Sequence, residues 1–457
     1  MYTFSNKLKT FSLALIVIGV LGVAYGFIDS NKSLEDVKTM LTEEGSSHGK
    51  ALTEATQNGL ELHAEQASEN QTEDHAALEA HHDEEHAKHV QHQLANRPWA
   101  ALYVAAFFFM MIGVGVLVFY AIQIAAQAGW SVVLFRVMEG ISAYVLPGTL
   151  IVLGIAVASH YIGHDNLFIW MNPDITNPES DYYDKLVDNK SSYLNLPWFI
   201  IRGLIFIAGW GLYQYFSRKL SIAQDTAEDN SNFKKSFRFA AGFLVFFIFT
   251  ESVMSWDWIM SLDPHWFSTL FGWYVFSSMF VSGVTVIALI TIYLKSRGYL
   301  EAVNDSHLHD ISKYLFAFSI FWTYLWFSQF MLIWYSNIPE EVTYFASRFN
   351  DYQLPFIGMV VLNFVFPFLM LINSDYKRIP WLIVISGIVV LIGHYLDVFV
   401  MVMPATVGDQ WFIGIPEISS VLLFAGLFIF VVFTALTKAP LLVKRHPLKK
   451  ESENFHY

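Results

Sequence analysis

Polar and apolar positions fall in long blocks along this chain. Apolar runs occupy 11–28, 99–123, 137–160, 196–217, 236–262, 266–294, 311–337, 352–373, 380–403 and 416–436. Each reaches the roughly 18 apolar residues that a helix needs to cross a bilayer. The pattern predicts an all-α polytopic membrane protein with ten transmembrane helices. The first run follows Lys7 and Lys9 as a signal peptide would, but 26–29 (Gly-Phe-Ile-Asp) is a poor cleavage site, so a retained helix is expected over 1–28. Residues 29–96 break the pattern. They are rich in Glu, Gln, Ala and His with hardly an aromatic, too polar to bury a core, yet composed of helix formers. An exposed, His- and acid-rich arm is expected there, helical from about residue 53 to 94. A nine-helix membrane domain over 97–437 and a basic tail over 438–457 complete the division.

Charge orients the helices. With the N-terminus cytoplasmic, the cytoplasmic segments receive Lys7 and Lys9, Arg136, a cluster from Arg218 to Arg238, Lys295, Arg297 and Lys313, Lys377 and Arg378, and the bases from Lys438 to Lys450. The opposite side is acidic at 174–188 and at Glu340 and Glu341, and 404–416 carries no base. This positive-inside bias places both termini in the cytoplasm and the arm in the periplasm. An echo adds an internal order: Asp257 precedes Pro264 by seven residues and Asp397 precedes Pro404 by seven, on helices five and nine. An offset of four helices suits two tandem four-helix units.

Ionisable residues interrupt the apolar runs. A charge at membrane depth costs at least about 2.5–3.5 kcal/mol on insertion scales, which marks such residues as functional candidates. Arg136 and Glu139 lie in the inner third of helix three and Glu251 near the middle of helix five. His160, Arg202, Asp257, Gln329, His394 and Asp397 lie in the outer third of their helices. Acids and histidines stepped across a membrane are the parts of a proton relay, and Glu139, Glu251, Asp257, His394 and Asp397 form the candidate path. Arg136 and Glu139, three apart, equally suit a local ion pair. Asp263 and His265 fit an interfacial turn. The aromatic run 321–327 reads as packing and lipid-facing surface.

Composition narrows the chemistry. The 457 residues are 54% hydrophobic and contain no cysteine, which excludes thiolate-bound iron–sulfur clusters, covalent haem attachment and disulfides within this chain. A formal charge of −13 does not suit nucleic-acid binding. His160 and His394 are the one pair suited to bis-histidine haem, and the interfacial position of His160 weighs against it. On the arm, His82, His86 and His89 share a helical face, beside His75, His81 and His92. Among so many acids this reads as a solvated, partner-facing surface, and no metal site is assigned.

Three segments carry a resemblance: DWIMSLDPHWFSTLFGWYVF, WTYLWFSQFMLIWYSNIPEEVTYF and GHYLDVFVMVMP. They resemble signature stretches of the large membrane subunits of alternative complex III, the bacterial quinol:cytochrome c oxidoreductase, within the polysulfide-reductase membrane-anchor superfamily. The likeness spans about 99–437, and the long insertion after helix one is more similar to the F type of the two paralogous subunits. The resemblance implies that the middle eight helices form two four-helix bundles. It implies a bacterial inner-membrane location and no redox centre in this chain, with haem c and iron–sulfur centres in partners. Those partners would be the paralogous large subunit, multihaem and monohaem cytochrome c subunits, an iron–sulfur subunit and a terminal oxidase. It also implies quinol or menaquinol as the ligand, with His160, Arg202, Asp257, His394 and Asp397 as the candidate site, since quinol oxidation needs a base nearby.

A second class competes, a proton-coupled secondary transporter. Pro147 and Pro367 interrupt helices three and eight, and transporters carry such breaks at corresponding positions of their two halves.

Overall fold

A computed structural model of the chain describes residues 2–42, 72–163 and 167–456, with the backbone alone for 72–83. Among the described residues ten helices are long and apolar enough to cross a membrane. They are α1 (Asn6–Asp29), α2 (Glu84–Ala125), α3 (Gly129–Tyr161), α4 (Leu196–Gln224) and α5 (Ser231–Leu262), then α6 (Leu270–Ser296), α7 (Asp305–Ser336), α8 (Gln353–Leu371), α9 (Pro380–Thr406) and α10 (Ile415–Leu436). No strand occurs among the described residues. The protein is an all-α, multi-pass membrane protein.

The middle eight helices form two bundles. Helix α2 packs on α3 and α5, and α4 closes the first ring between them; α6 packs on α7 and α9, and α8 closes the second. The bundles meet where α2 packs on α6, flanked by α5 against α6 and α9 against α2. This arrangement maps each helix onto the one four further along, as the Asp-x6-Pro echo predicts. Buried fraction follows from it: 94% of the apolar stretch of α2 and 83% of that of α6 are buried, against 22% for α1. Glycine permits the central crossing. A Cβ on Gly115 would lie 2.3 Å from the Met279 carbonyl oxygen, and one on Gly283 would lie 3.0 Å from the Gly115 backbone, so the two helices approach at backbone distance. Helix α1 lies outside both bundles and packs on α10.

Proline explains the irregular helices. In α3 a short helix, Phe135–Ser142, is separated from Val145–Tyr161 by a turn at 143–144; Pro147 has no N–H for the carbonyl of residue 143, so the break falls one turn before it. In α8 Pro367 likewise frees the carbonyl of Asn363, and Val361–Val365 opens into a π turn. Under the four-helix offset α3 corresponds to α7 and α8 to α4, so the two breaks do not occupy matching positions.

The arm differs from expectation in continuity. One helix, Thr72–Ala125, runs from the arm through Pro98 into the membrane without a break at 96, and its residues Ala87, Val90 and Leu94 form a small core with Val37. The expected helical start near residue 53 lies outside the described residues, as do the side chains of His75, His81 and His82. At the opposite face the C-terminal tail runs beneath both bundles. Ser452 Oγ donates to the Trp130 carbonyl (2.7 Å), His307 Nε2 lies 3.0 Å from the Ser452 carbonyl, and Asn304 Nδ2 donates to the Phe455 carbonyl (2.7 Å).

Candidate functional site

The intramembrane ionisable residues do not form one column. Those placed at depth by the sequence resolve into three clusters, a solitary acid in Glu251, and His160 at the end of α3.

The first cluster closes the tail-side end of the first bundle. Arg136 Nη1 donates to Glu139 Oε2 and Nη2 to Asp225 Oδ2, each at 2.8 Å, while Tyr120 Oη donates to Glu139 Oε1 at 2.9 Å. Arg218 reaches the Glu139 carbonyl (3.3 Å) and the Ala435 carbonyl (2.6 Å). Both Glu139 oxygens are engaged, so the local ion pair expected from the three-residue spacing exists and extends to α4. Such a network ties α2, α3, α4 and α10 together, because removing one buried charge strands another.

The second cluster sits at the opposite end of the same bundle. Asp257 is fully buried on α5, and Arg202 from α4 donates to it through Nε at 2.5 Å and Nη2 at 3.1 Å. Tyr193, in the loop before α4, donates its hydroxyl to Asp257 Oδ1 at 2.8 Å, and the Arg202 guanidinium lies 4.0 Å from the Tyr193 ring centre. Burial first, and then the Asp257 carboxylate, push the Tyr193 phenol above its ordinary range. Tyr193 also forms one wall of a cavity of about 440 Å³, lined with it by Leu194, Trp256, Met260, Trp266 and Phe267. That volume and mostly apolar lining suit a small organic ligand. Beside it the interfacial turn is as expected, with His265 Nε2 2.5 Å from Asp184 Oδ2. Burial pushes Asp184 up, but the bonds from His265 and from the Val187 and Leu186 N–H groups outweigh it and hold the acid below the ordinary carboxylate range.

The third cluster occupies the second bundle. Asp397 on α9 accepts hydrogen bonds from Tyr274 of α6 and, at 2.8 Å, from the Trp322 indole of α7. His394, one turn away, places Nδ1 3.5 Å from Asp397 Oδ2 and 2.8 Å from Ser278 Oγ, and Asn363 of the π turn lies 3.5 Å from the same nitrogen. His394 Nε2 and Asn363 Oδ1 are buried without a hydrogen-bond partner among the described residues. A cavity of about 10 Å³ between Tyr274, Gln329, Tyr344 and Phe356 has room for at most a single water. Its lid is the short helix Pro339–Asn350, where Tyr344 stacks on Trp266 with ring centres 4.0 Å apart. Gln329, placed at depth by the sequence, accepts from Ser268 Oγ at 2.7 Å.

Glu251 stands apart. It is buried on α5 and takes hydrogen bonds from Ser255 Oγ (3.0 Å) and Ser252 Oγ (3.5 Å) on its own helix, and it forms no ion pair among the described residues. His160 is half-buried at the end of α3, its ring against Tyr161. It belongs to the first bundle and His394 to the second, so the geometry gives a shared haem no support. Of the five residues expected to line a quinol site, the structure therefore joins Arg202 to Asp257 and His394 to Asp397, in separate bundles, and leaves His160 apart from both.

Several participants escape sequence reading. Tyr193, Tyr274 and Trp322 resemble the aromatic belt of any membrane protein, and only their hydroxyl and indole bonds to buried acids distinguish them. The run 321–327 is divided: Trp322 is fully buried while Tyr324 and Phe327 face outward. Asn363 had a legible signal, a lone amide in an apolar run four residues before a proline. Among the described residues no group of three His, Asp or Glu side chains is placed to hold a metal ion. No model of a known protein family matches the chain, and no curated protein sequence matches it.

Proposed function

We propose that this chain is an integral membrane subunit of a bacterial respiratory complex that oxidises quinol or menaquinol and passes electrons to cytochrome c or an oxidase. It resides in the inner membrane with both termini cytoplasmic. It carries no redox centre of its own; haem c and iron–sulfur centres sit in partner subunits, beside a paralogous large membrane subunit. The resemblance of three long segments supports the complex. The observation that carries the chemistry is the cavity beside Tyr193 and Asp257.

Oxidising a quinol releases two electrons and two protons. The electrons pass to a partner's centre at the periplasmic side. A quinol hydroxyl in the cavity meets the Tyr193 hydroxyl, which already donates to Asp257, so a proton entering at Tyr193 moves its own proton to the carboxylate. Arg202 positions that carboxylate. The second bundle suits proton movement without a ligand. Thr291, Ser282, Ser319 and Ser386 carry buried hydroxyls with no hydrogen-bond partner among the described residues, on the helices that also bear Tyr274, Trp322, His394 and Asp397. Buried polar groups of this kind take ordered water as partner, which supports a wetted route from the tail side to Asp397.

The transporter reading loses its footing on the helix breaks, which fall in α3 and α8 and not in corresponding helices of the two halves. Purification after gentle solubilisation decides between the two. A c-type haem absorbance and haem-bearing polypeptides co-migrating with the chain are expected. A chain that runs alone or as a homo-oligomer, and is protected from quinone photolabelling at Tyr193 by no quinol, overturns the proposal.

A further inference from the structure

The geometry points to a phospholipid site of zwitterionic, primary-amine headgroup chemistry in the leaflet opposite the two termini, between the ends of α1, α2 and α10. A cavity of about 550 Å³ lies there, with Asp29, Lys32, Arg97, Asp409 and Phe412 among its walls. Its depth follows from the helix ends: Asp29 is the last residue of α1, Arg97 immediately precedes Pro98 and the apolar run of α2, and Pro416 is the second residue of α10. Three helices thus turn polar at one level, which is the headgroup layer.

Charge defines the occupant. Arg97 is 6% exposed and is held rigidly: Nε and Nη2 donate to the two Glu417 oxygens at 2.8 Å each, Nη2 also reaches the Phe412 carbonyl at 3.3 Å, and the guanidinium lies 3.2 Å from the Phe412 ring centre. Its Nη1 donates to no described residue. On the facing wall Lys32 Nζ touches the Met40 sulfur at 3.1 Å, and neither Lys32, Asp29 nor Asp409 forms an ion pair among the described residues. Glu417 balances the Arg97 charge and leaves its Nη1 as a donor, while Lys32, Asp29 and Asp409 line the same interfacial cavity without an ion-pair partner among the described residues. A phosphodiester that carries an ethanolamine satisfies both: the phosphate takes Arg97 Nη1 and Lys32, and the ammonium takes Asp29 and Asp409. Below the cavity the outward face of α1, with Leu21, Tyr25 and Ile28 exposed, gives the acyl chains an apolar wall. This inference is independent of the quinol reading.

The test counts lipid on the full chain, purified with whatever subunits accompany it and washed in detergent. Phosphatidylethanolamine is expected to remain near one per chain by native mass spectrometry. Lys32→Gln with Asp29→Asn, both at partly or fully exposed positions, is expected to lower its affinity about tenfold, as loss of charge-assisted contacts implies. Fold and yield should be preserved; if the double variant does not accumulate, Lys32→Gln alone is measured. Retention unchanged in the variant overturns the site. Preferential retention of phosphatidylglycerol, or displacement by inorganic phosphate or glycerophosphoethanolamine, overturns the zwitterionic lipid as its occupant.

Discussion

Arg202 and Asp257 form a forked ion pair between α4 and α5, with Nε 2.5 Å from one carboxylate oxygen and Nη2 3.1 Å from the other. Removing one member strands the other in a buried place, at a cost of about 3–5 kcal/mol, whereas replacing both with apolar residues is often neutral. Arg202→Leu is therefore expected to lower the thermal midpoint of the solubilised protein more than Arg202→Leu with Asp257→Leu. Tryptophan-fluorescence melting curves check this. A single variant as stable as the double one would show that the pair is not buried as described.

Tyr193→Phe separates the proton relay from packing. The ring and its contact with Arg202 remain, and the loss of one hydrogen bond to a carboxylate costs about 1.5–3 kcal/mol of stability. A lost proton-transfer group slows turnover by about 100-fold or more. Quinol-dependent reduction of cytochrome c by the purified complex is expected to fall on that scale, with normal complex yield. A rate within twofold of the parent would remove Tyr193 from the relay.

Glu251 is bonded only to serines of its own helix, and Glu251→Gln keeps its shape and hydrogen bonding. If the acid carries protons, this variant assembles normally and releases fewer protons per electron in reconstituted vesicles. An unchanged ratio at normal yield sinks that role, and the acid is then a structural hydrogen-bonding group whose replacement by Leu impairs assembly.

The C-terminal tail is expected to loosen in acid. Burial lowers the His446 imidazole from its ordinary 6.5 to about 4 in the docked tail, where its ring packs edge-on against Phe135 and Phe233. A released tail takes up the proton near pH 6.5, the docked one only near pH 4. Docking is thus at full strength above about pH 6.5 and weakens as pH falls from there towards 4. Hydrogen exchange of residues 438–456 across that window checks the sign, and His446→Phe should flatten the pH dependence.

By itself the sequence determined what depends on periodicity and composition. Ten apolar blocks specify ten helices because a bilayer offers the backbone no partner outside a helix or a closed barrel. The missing cysteines bound the chemistry, and the Asp257 and Asp397 echo revealed the doubling of the bundle. The sequence also located Glu139, Glu251, Asp257 and Asp397 in depth, while Glu417 and Asp225 escaped it. What it lacked was azimuth. A helix carries the same residue at the same depth whichever way it is rotated, so only packing decided that Asp257 meets Arg202 while Glu251, two turns away on the same helix, meets only serines. Packing likewise put His160 and His394 in different bundles, joined Glu139 to Asp225 through Arg136, and turned Trp322 inward to Asp397 while Tyr324 and Phe327 face outward. The cavities beside Tyr193 and Arg97 have no sequence signature, because each is formed by the ends of elements far apart in the chain, and its shape exists only when they meet.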